Sequence, residues 1–378
     1  MKITSLQENL KNGLSLVGHI AGKNQNLPIL NNVLIKTENG VIKLSATDLE
    51  IGVVTNVRGK VEEEGSYTVE AKIISDYVSL LPNQKTELTL KENKIEVLCG
   101  NYHTIMKGQS AEEFPLIPQI ERHIFHKVKA EDFKKALSQV VFAVSSSETR
   151  IELSGILFTI KKNELVLTAT DSYRLAEKKL KIESNVESEA DHKIIVPAKT
   201  LQELGRILAS IKNEGVDEKN NELMFYYTDN QILFVIGETE LVSRLIEGQF
   251  PDYQQIIPQG IETKIAVQKS ELIRAVKAAA IFSKSGVNDV NLDFPENQNK
   301  VVVSSSSGLS GENISNVEAE VSGRDNGMVV NYRYLLEGLN SLNGDNVKIH
   351  VVNGNAPCIM RAASGDDEYL YLIMPIKQ

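Results

Sequence analysis

The stretch ATDSYRLA, residues 169–176, decides how the rest of the chain is read. It follows the apolar run LSGILFTI (153–160), and its first three letters recur as Ala46-Thr47-Asp48 behind a similar run ending Lys43-Leu44-Ser45. Aligning the copies extends the match to LPILNNVLIKTENGVIKLSATDLEIGVV (27–54) and ETRIELSGILFTIKKNELVLTATDSYRLAEKK (148–179). Both read as strand, polar turn and strand running into the same Thr-Asp. Downstream, YTVEAKIISDYVSLLP (67–82) and KIIVPAKTLQELGRIL (193–208) each read as a strand passing into a short amphipathic helix. The chain is therefore built on an internal repeat.

A third copy follows the pattern more than the letters. VQKSELIRAVKAAAIFSK (267–284) reads as a helix, VNLDF (290–294) and KVVVSSSS (300–307) as strands, and MVVNYRYLLEGLNSL (328–342) as the strand–helix pair, with a serine run in place of Thr-Asp. The units end alike, in EEFPLIP (112–118), GQFPDYQQIIP (248–258) and EYLYLIMPI (368–376). Units of this size are single small domains. Three similar domains in tandem follow, at 1–122, 123–258 and 259–378.

A chain of 378 residues that is 42% hydrophobic can bury three modest cores. The opening MKITSLQENL lacks an apolar core segment, and no run approaches the ~18 apolar residues of a membrane span, which predicts a cytoplasmic protein with no membrane partner. Cys99 and Cys358 sit in strand-like runs of different domains and read as reduced, buried thiols.

The net charge of −9 argues against nucleic acid, but its distribution argues the other way. Six candidate helices (6–23, 71–81, 129–143, 198–212, 268–284, 331–341) carry 14 Lys or Arg and 7 Asp or Glu, leaving 27 basic and 43 acidic residues elsewhere. Leu6, Leu10, Leu14 and Val17 give the first helix one apolar face, and Phe133, Leu137, Val140 and Val141 do the same for the second repeat. Leu272, Val276, Ala279 and Ala280 do so for the third. The expected fold is α+β: in each domain two helices cover one face of antiparallel sheet and turn their basic sides outward. Candidate DNA-facing residues on these helices are Lys11, Lys23, Lys72, Lys134, Lys135, Lys199, Arg206, Arg274, Lys277 and Arg333.

Catalytic patterns are weak by comparison. Asp48 and Asp171 could pose as paired carboxylates, but equivalent places in two domains keep them apart, and capping a turn after a strand explains both. His123 and His126 have an i, i+3 spacing without further ligands, so no metal and no cofactor are expected. SSSSGLSGEN (304–313) looks like a phosphate-cradling loop but lacks the lysine of such loops, and reads as a mobile surface loop. The net acidity leaves one rival, a non-catalytic protein-binding scaffold that touches no nucleic acid.

The segments LPILNNVLI, ATDLEIG, ELSGILF with ATDSYRLA, GQFPDYQQIIP and the terminal YLIMPI resemble the bacterial DNA polymerase III beta subunits, the replicative sliding clamps. With the threefold element order the resemblance covers essentially the whole chain. It implies the DNA clamp fold, closing as a head-to-tail homodimeric ring around duplex DNA, with helices lining the hole and no catalytic site. Such a ring is a processivity factor bound by the polymerase III catalytic subunit, the clamp loader and other proteins carrying a clamp-binding motif.

Several site residues follow from the resemblance alone. A pocket for linear peptides falls on Leu153, Thr170, Ser172, Tyr173, Arg174, Leu175, Pro251, Gln255, Ile256, Leu372, Met374, Pro375 and Ile376. The dimer contact falls on Tyr77, Leu81 and Met106 on one side and Ile281 and Phe282 on the other. The family often has Gly-His where this chain has Ser172-Tyr173, and a basic then an apolar residue where it ends Lys377-Gln378.

Overall fold

The computed structural model describes residues 1–22, 25–147, 149–186, 190–211, 221–284, 286–308, 311–364 and 368–377. Its helices are α1 (Gln7–Gly18), α2 (Ala71–Leu80), α3 (Ala130–Val140), α4 (Ala198–Ser210), α5 (Lys269–Ala280) and α6 (Tyr332–Ser341). The element order repeats three times. α1, α3 and α5 each follow an opening strand (Lys2–Leu6, His126–Lys129, Thr263–Gln268), and α2, α4 and α6 each follow a later one (Gly65–Glu70, His192–Pro197, Asn326–Asn331). α1 buries Leu10, Leu14 and Val17 as its spacing predicts, whereas Leu6, expected on the same face, sits at the N-cap position and is exposed; α1 stops at Gly18, and α5 stops at Ala280 with Ile281 as its cap. Both end short of the expected boundary because apolar spacing continues into the following turn.

The chain divides into two compact units. The first comprises Met1–Glu131, Glu183–Val186 and Gln202–Leu245, and its strands form one 14-stranded sheet. The second comprises Asp132–Ile182, Glu187–Leu201 and Ile246–Gln378, and its strands form one 12-stranded sheet. Among the described residues every strand pairing is antiparallel, as alternation with one apolar face requires. The Asn39-Gly40 turn closes its hairpin with both residues at positive φ, the conformation that matches strand twist in a two-residue loop. Glu92-Asn93 does the same between Lys91 and Lys94 without a glycine to announce it.

One strand pairing in each unit joins two repeats. In the first, Thr239–Arg244, the last strand of repeat two, pairs with Ile51–Val57, which follows the first Thr-Asp. In the second, Tyr369–Ile373, the last strand of repeat three, pairs with Arg174–Lys181, which follows the second Thr-Asp. The serine run is not a mobile loop. Ser304–Ser307 pairs with Gly311–Ile314 as the end of a hairpin, because alternation carries Val301 and Val303 into the core and the serines continue the same strand. Residues 309–310 of that predicted loop lie outside the described residues.

Candidate peptide groove, charged helices and sheet edges

Both Thr-Asp motifs are turn caps, built atom for atom alike. Thr47 Oγ1 donates to the Ile51 carbonyl at 2.8 Å and accepts from the Leu49 N–H at 3.0 Å, while Asp48 Oδ1 accepts from the Glu50 and Ile51 N–H groups. In the second copy Thr170 Oγ1 donates to the Arg174 carbonyl at 2.6 Å and accepts from Ser172, while Asp171 Oδ1 accepts from Tyr173 and Arg174. The capped turn holds the second of its residues, Leu49 or Ser172, at φ 77°. Each carboxylate caps its own turn.

The copies differ in what the turn carries. Ile51 stands where the second repeat has Arg174, a side chain that is only 7% exposed. Arg174 Nε donates to Asp171 Oδ2 at 3.0 Å, one terminal nitrogen donates to the Phe142 carbonyl at 2.8 Å, and the other pairs with Glu337. Its guanidinium lies 4.5 Å from the Tyr334 ring centre and 5.4 Å from that of Phe142. Tyr334 and Glu337 reach it together because i and i+3 share a face of α6, whose N-terminus Asn331 caps by accepting from the Arg333 N–H. Burial, helped by Asp171, raises the Tyr334 hydroxyl above its ordinary range. Arg174 is thus a buried side chain that braces the turn.

Beside this turn lies an apolar cluster. Leu157, Leu175, Ile195, Tyr253 and Leu372 form a buried cluster, with Ile246, Phe250, Ile257 and Met374 packed against it and partly open. The Tyr253 hydroxyl donates to Glu177 at 2.6 Å and accepts from Thr168, and its burial pushes its pKa far above the ordinary range. Of the residues expected at the site, Leu153, Thr170, Leu175 and Leu372 are buried, and Pro251, Met374, Pro375 and Ile376 half-buried. Tyr173, Gln255 and Ile256 are exposed, and Ser172 accepts from Arg150 at 2.9 Å. Met374 N–H reaches the Tyr173 carbonyl and Ile376 N–H the Val329 carbonyl, which keeps the C-terminal segment at the turn. Tyr334, Phe250 and Tyr253 were not foreseen: their letters are those of any core aromatic.

Of the expected DNA-facing residues, Lys11, Lys72, Lys135, Lys199, Arg274, Lys277 and Arg333 are exposed on their helices, and Lys134 is half-buried. Lys23 lies outside the described residues. Lys72 pairs with Asp76 and Arg274 with Glu271 on their own helices, exposed pairs that contribute little to stability. Arg206 differs. It holds buried Glu203 and donates to the carbonyls of Ser15 and Leu16 at the end of α1, and His19 reaches the same carboxylate at 2.7 Å.

At the expected dimer contact Leu81 and Met106 are buried, Tyr77 and Phe282 half-buried, and Ile281 exposed. The outward apolar residues are their neighbours Leu80, Tyr102 and Ile105, together with Ile281 and Ile314. Tyr102–Lys107 pairs with a strand along one edge only, and so does Gly311–Glu318, among the described residues. Among those residues no group of three or more His, Cys, Asp or Glu is placed to hold a metal, and no helix is long and apolar enough to cross a membrane.

Three family models match consecutive parts of the chain: the DNA polymerase III beta subunit N-terminal domain at residues 1–118, the central domain at 127–252 and the C-terminal domain at 254–377. The chain is 31% identical over 384 residues to the beta sliding clamp of Synechococcus elongatus, covering 100% of this chain and 99% of that protein. It is 29% identical over 361 residues to that of Staphylococcus aureus, covering 93% and 92%. Among solved structures, the DNA polymerase III subunit beta of Pseudomonas aeruginosa matches with a TM-score of 0.92 at 26% identity over 100% of both chains. The DNA polymerase sliding clamp of Bacillus subtilis matches at 0.91 and 26%, over 100% and 99%. The chain belongs to the DNA polymerase III beta subunit family and has its three-domain α+β clamp fold.

Proposed function

We propose that this chain is a DNA sliding clamp, a ring around duplex DNA that tethers the replicative polymerase and other DNA-acting proteins. The observation that carries the ring is the bookkeeping of sheet edges. Twice within the chain, the last strand of one repeat pairs with the strand after the Thr-Asp turn of the repeat before it. The same two kinds of edge are left over once each, on Tyr102–Lys107 of repeat one and Gly311–Glu318 of repeat three. Joining them between copies repeats the internal junction and continues the sheet, a head-to-tail contact that closes when the rotation does. Two copies suffice for the ring the family resemblance implies, with domain seams at 122/123 and 258/259.

The apolar contact then falls on Leu80, Tyr102 and Ile105 against Ile281 and Ile314, one position off the expected Leu81 and Met106, while Tyr77 and Phe282 flank it. The basic residues of the six helices hold phosphates without reading bases, so binding is salt-sensitive and indifferent to sequence. The groove at Leu175, Tyr173 and Met374 takes apolar anchors of short peptides from the polymerase III catalytic subunit, the clamp loader and other clamp-binding-motif proteins. The role is non-catalytic: the two Thr-Asp aspartates cap their own turns. Sedimentation of wild-type protein should give a two-chain mass, and Ile105→Glu with Ile314→Glu should give folded monomers. An undiminished dimer in the double variant contradicts this edge assignment.

A further inference from the structure

Tyr173, Tyr334, Arg174 and Phe142 form one aromatic–cation cluster, with Tyr173 its most exposed member. The Tyr173 and Tyr334 rings stack at 6.3 Å and 24°, the guanidinium of Arg174 lies over the Tyr334 ring at 4.5 Å, and it lies 5.4 Å from the Phe142 ring centre. Three members are buried or half-buried, and Tyr173 is 63% exposed. The cluster already holds both a ring-on-ring and a cation-on-ring contact, so a further group on Tyr173 could be either.

Charge decides between them. Behind the two tyrosines Arg174 is held between two carboxylates, Asp171 and Glu337, so the cluster carries one negative charge in excess. The Asp171 side chain is 12% exposed and that of Glu337 49%, so Glu337 is the more open of the two carboxylates. A tyrosine face is itself electron-rich, and a net anion behind it strengthens its attraction for a cation. We propose that Tyr173 is a specificity-determining residue of the groove, selecting peptides that carry a basic side chain, arginine above all, beside their apolar anchor. The inference rests on the reading of the groove as a peptide-docking site. Arginine fits better than lysine because its planar guanidinium can stack on an aromatic face.

The test is fluorescence polarisation with the full-length protein and apolar-anchored peptides that differ only at the residue on either side of the anchor: arginine, citrulline or phenylalanine. The arginine peptide should bind about threefold tighter than citrulline in one of the two positions, as expected for an exposed cation–π contact. Tyr173→Phe should keep that preference, Tyr173→Leu should abolish it, and Glu337→Gln should weaken it. Equal affinities for arginine and citrulline, or a preference for phenylalanine, overturn the inference and leave peptide docking intact. Failure of every peptide to bind overturns docking as well.

Discussion

Met374 donates its backbone N–H to the carbonyl oxygen of Tyr173 at 2.8 Å, tying the C-terminal segment to the turn of the second Thr-Asp motif. Met374 also packs on the Leu175–Leu372 cluster. Removing residues 374–378 therefore takes Met374 from the apolar cluster and, among the described residues, two backbone hydrogen bonds from the fold, each contributing about 1 kcal/mol. Peptide affinity should fall at least tenfold while the thermal midpoint drops by a few degrees, read by calorimetry beside the binding assay. Joint loss of folding would assign the tail to sealing the domain, not to docking.

The two Thr-Asp turns should respond unequally to the same change. Asp48→Ala removes a carboxylate that caps a turn and should cost about 1–2 kcal/mol. Asp171→Ala removes the same cap and also the Nε partner of a buried arginine, so about 3–4 kcal/mol is expected. Urea unfolding of both variants measures the difference. Equal losses would mean that Arg174 finds full compensation in Glu337 and Phe142.

Gly338 marks where α6 lies against the C-terminal strand. A Cβ there would sit 2.2 Å from the ring of Tyr371, a fully buried side chain whose hydroxyl donates to the Tyr334 carbonyl. Gly338→Ala should destabilise by about 1–3 kcal/mol despite its better helix propensity, because the core cannot give way. Since α6 carries Tyr334 and Glu337, peptide affinity should fall with it. A stabilised variant with unchanged affinity would show that the ring moves freely.

Cys358 is fully buried and its thiol is pushed up to about 12 by burial. Native protein should leave it unreacted with a thiol reagent at pH 8, and denatured protein should expose both cysteines. The linkage has a definite sign. From about pH 9 upward the unfolded chain loses this proton while the folded chain keeps it, so stability falls by up to about 1.4 kcal/mol per pH unit. A stability curve flat to pH 11 would contradict it.

The repeat was legible because Thr-Asp is a local device: each cap is satisfied within four residues, so its letters persist wherever the turn does. The hairpin at Asn39-Gly40 was legible for the same reason. The pairing of Arg174–Lys181 with Tyr369–Ile373 was not, since nothing in either strand names a partner nearly 200 residues away. Arg174 is the sharpest case. A charged letter on a strand reads as surface, and only the meeting of Asp171, Glu337 and two rings makes its burial tolerable. Leu80 is exposed beside buried Leu81 at the end of α2, and Ile105 beside buried Met106 on its strand, so a shift of one position exchanges an inward for an outward face.

Encirclement of DNA is tested most directly by retention after loading. Protein loaded onto circular duplex should stay through a salt wash that releases ordinary electrostatic contacts, and should leave once a single cut opens the circle. Equal retention on cut and uncut DNA would contradict a ring and point to a protein held by phosphate contacts alone.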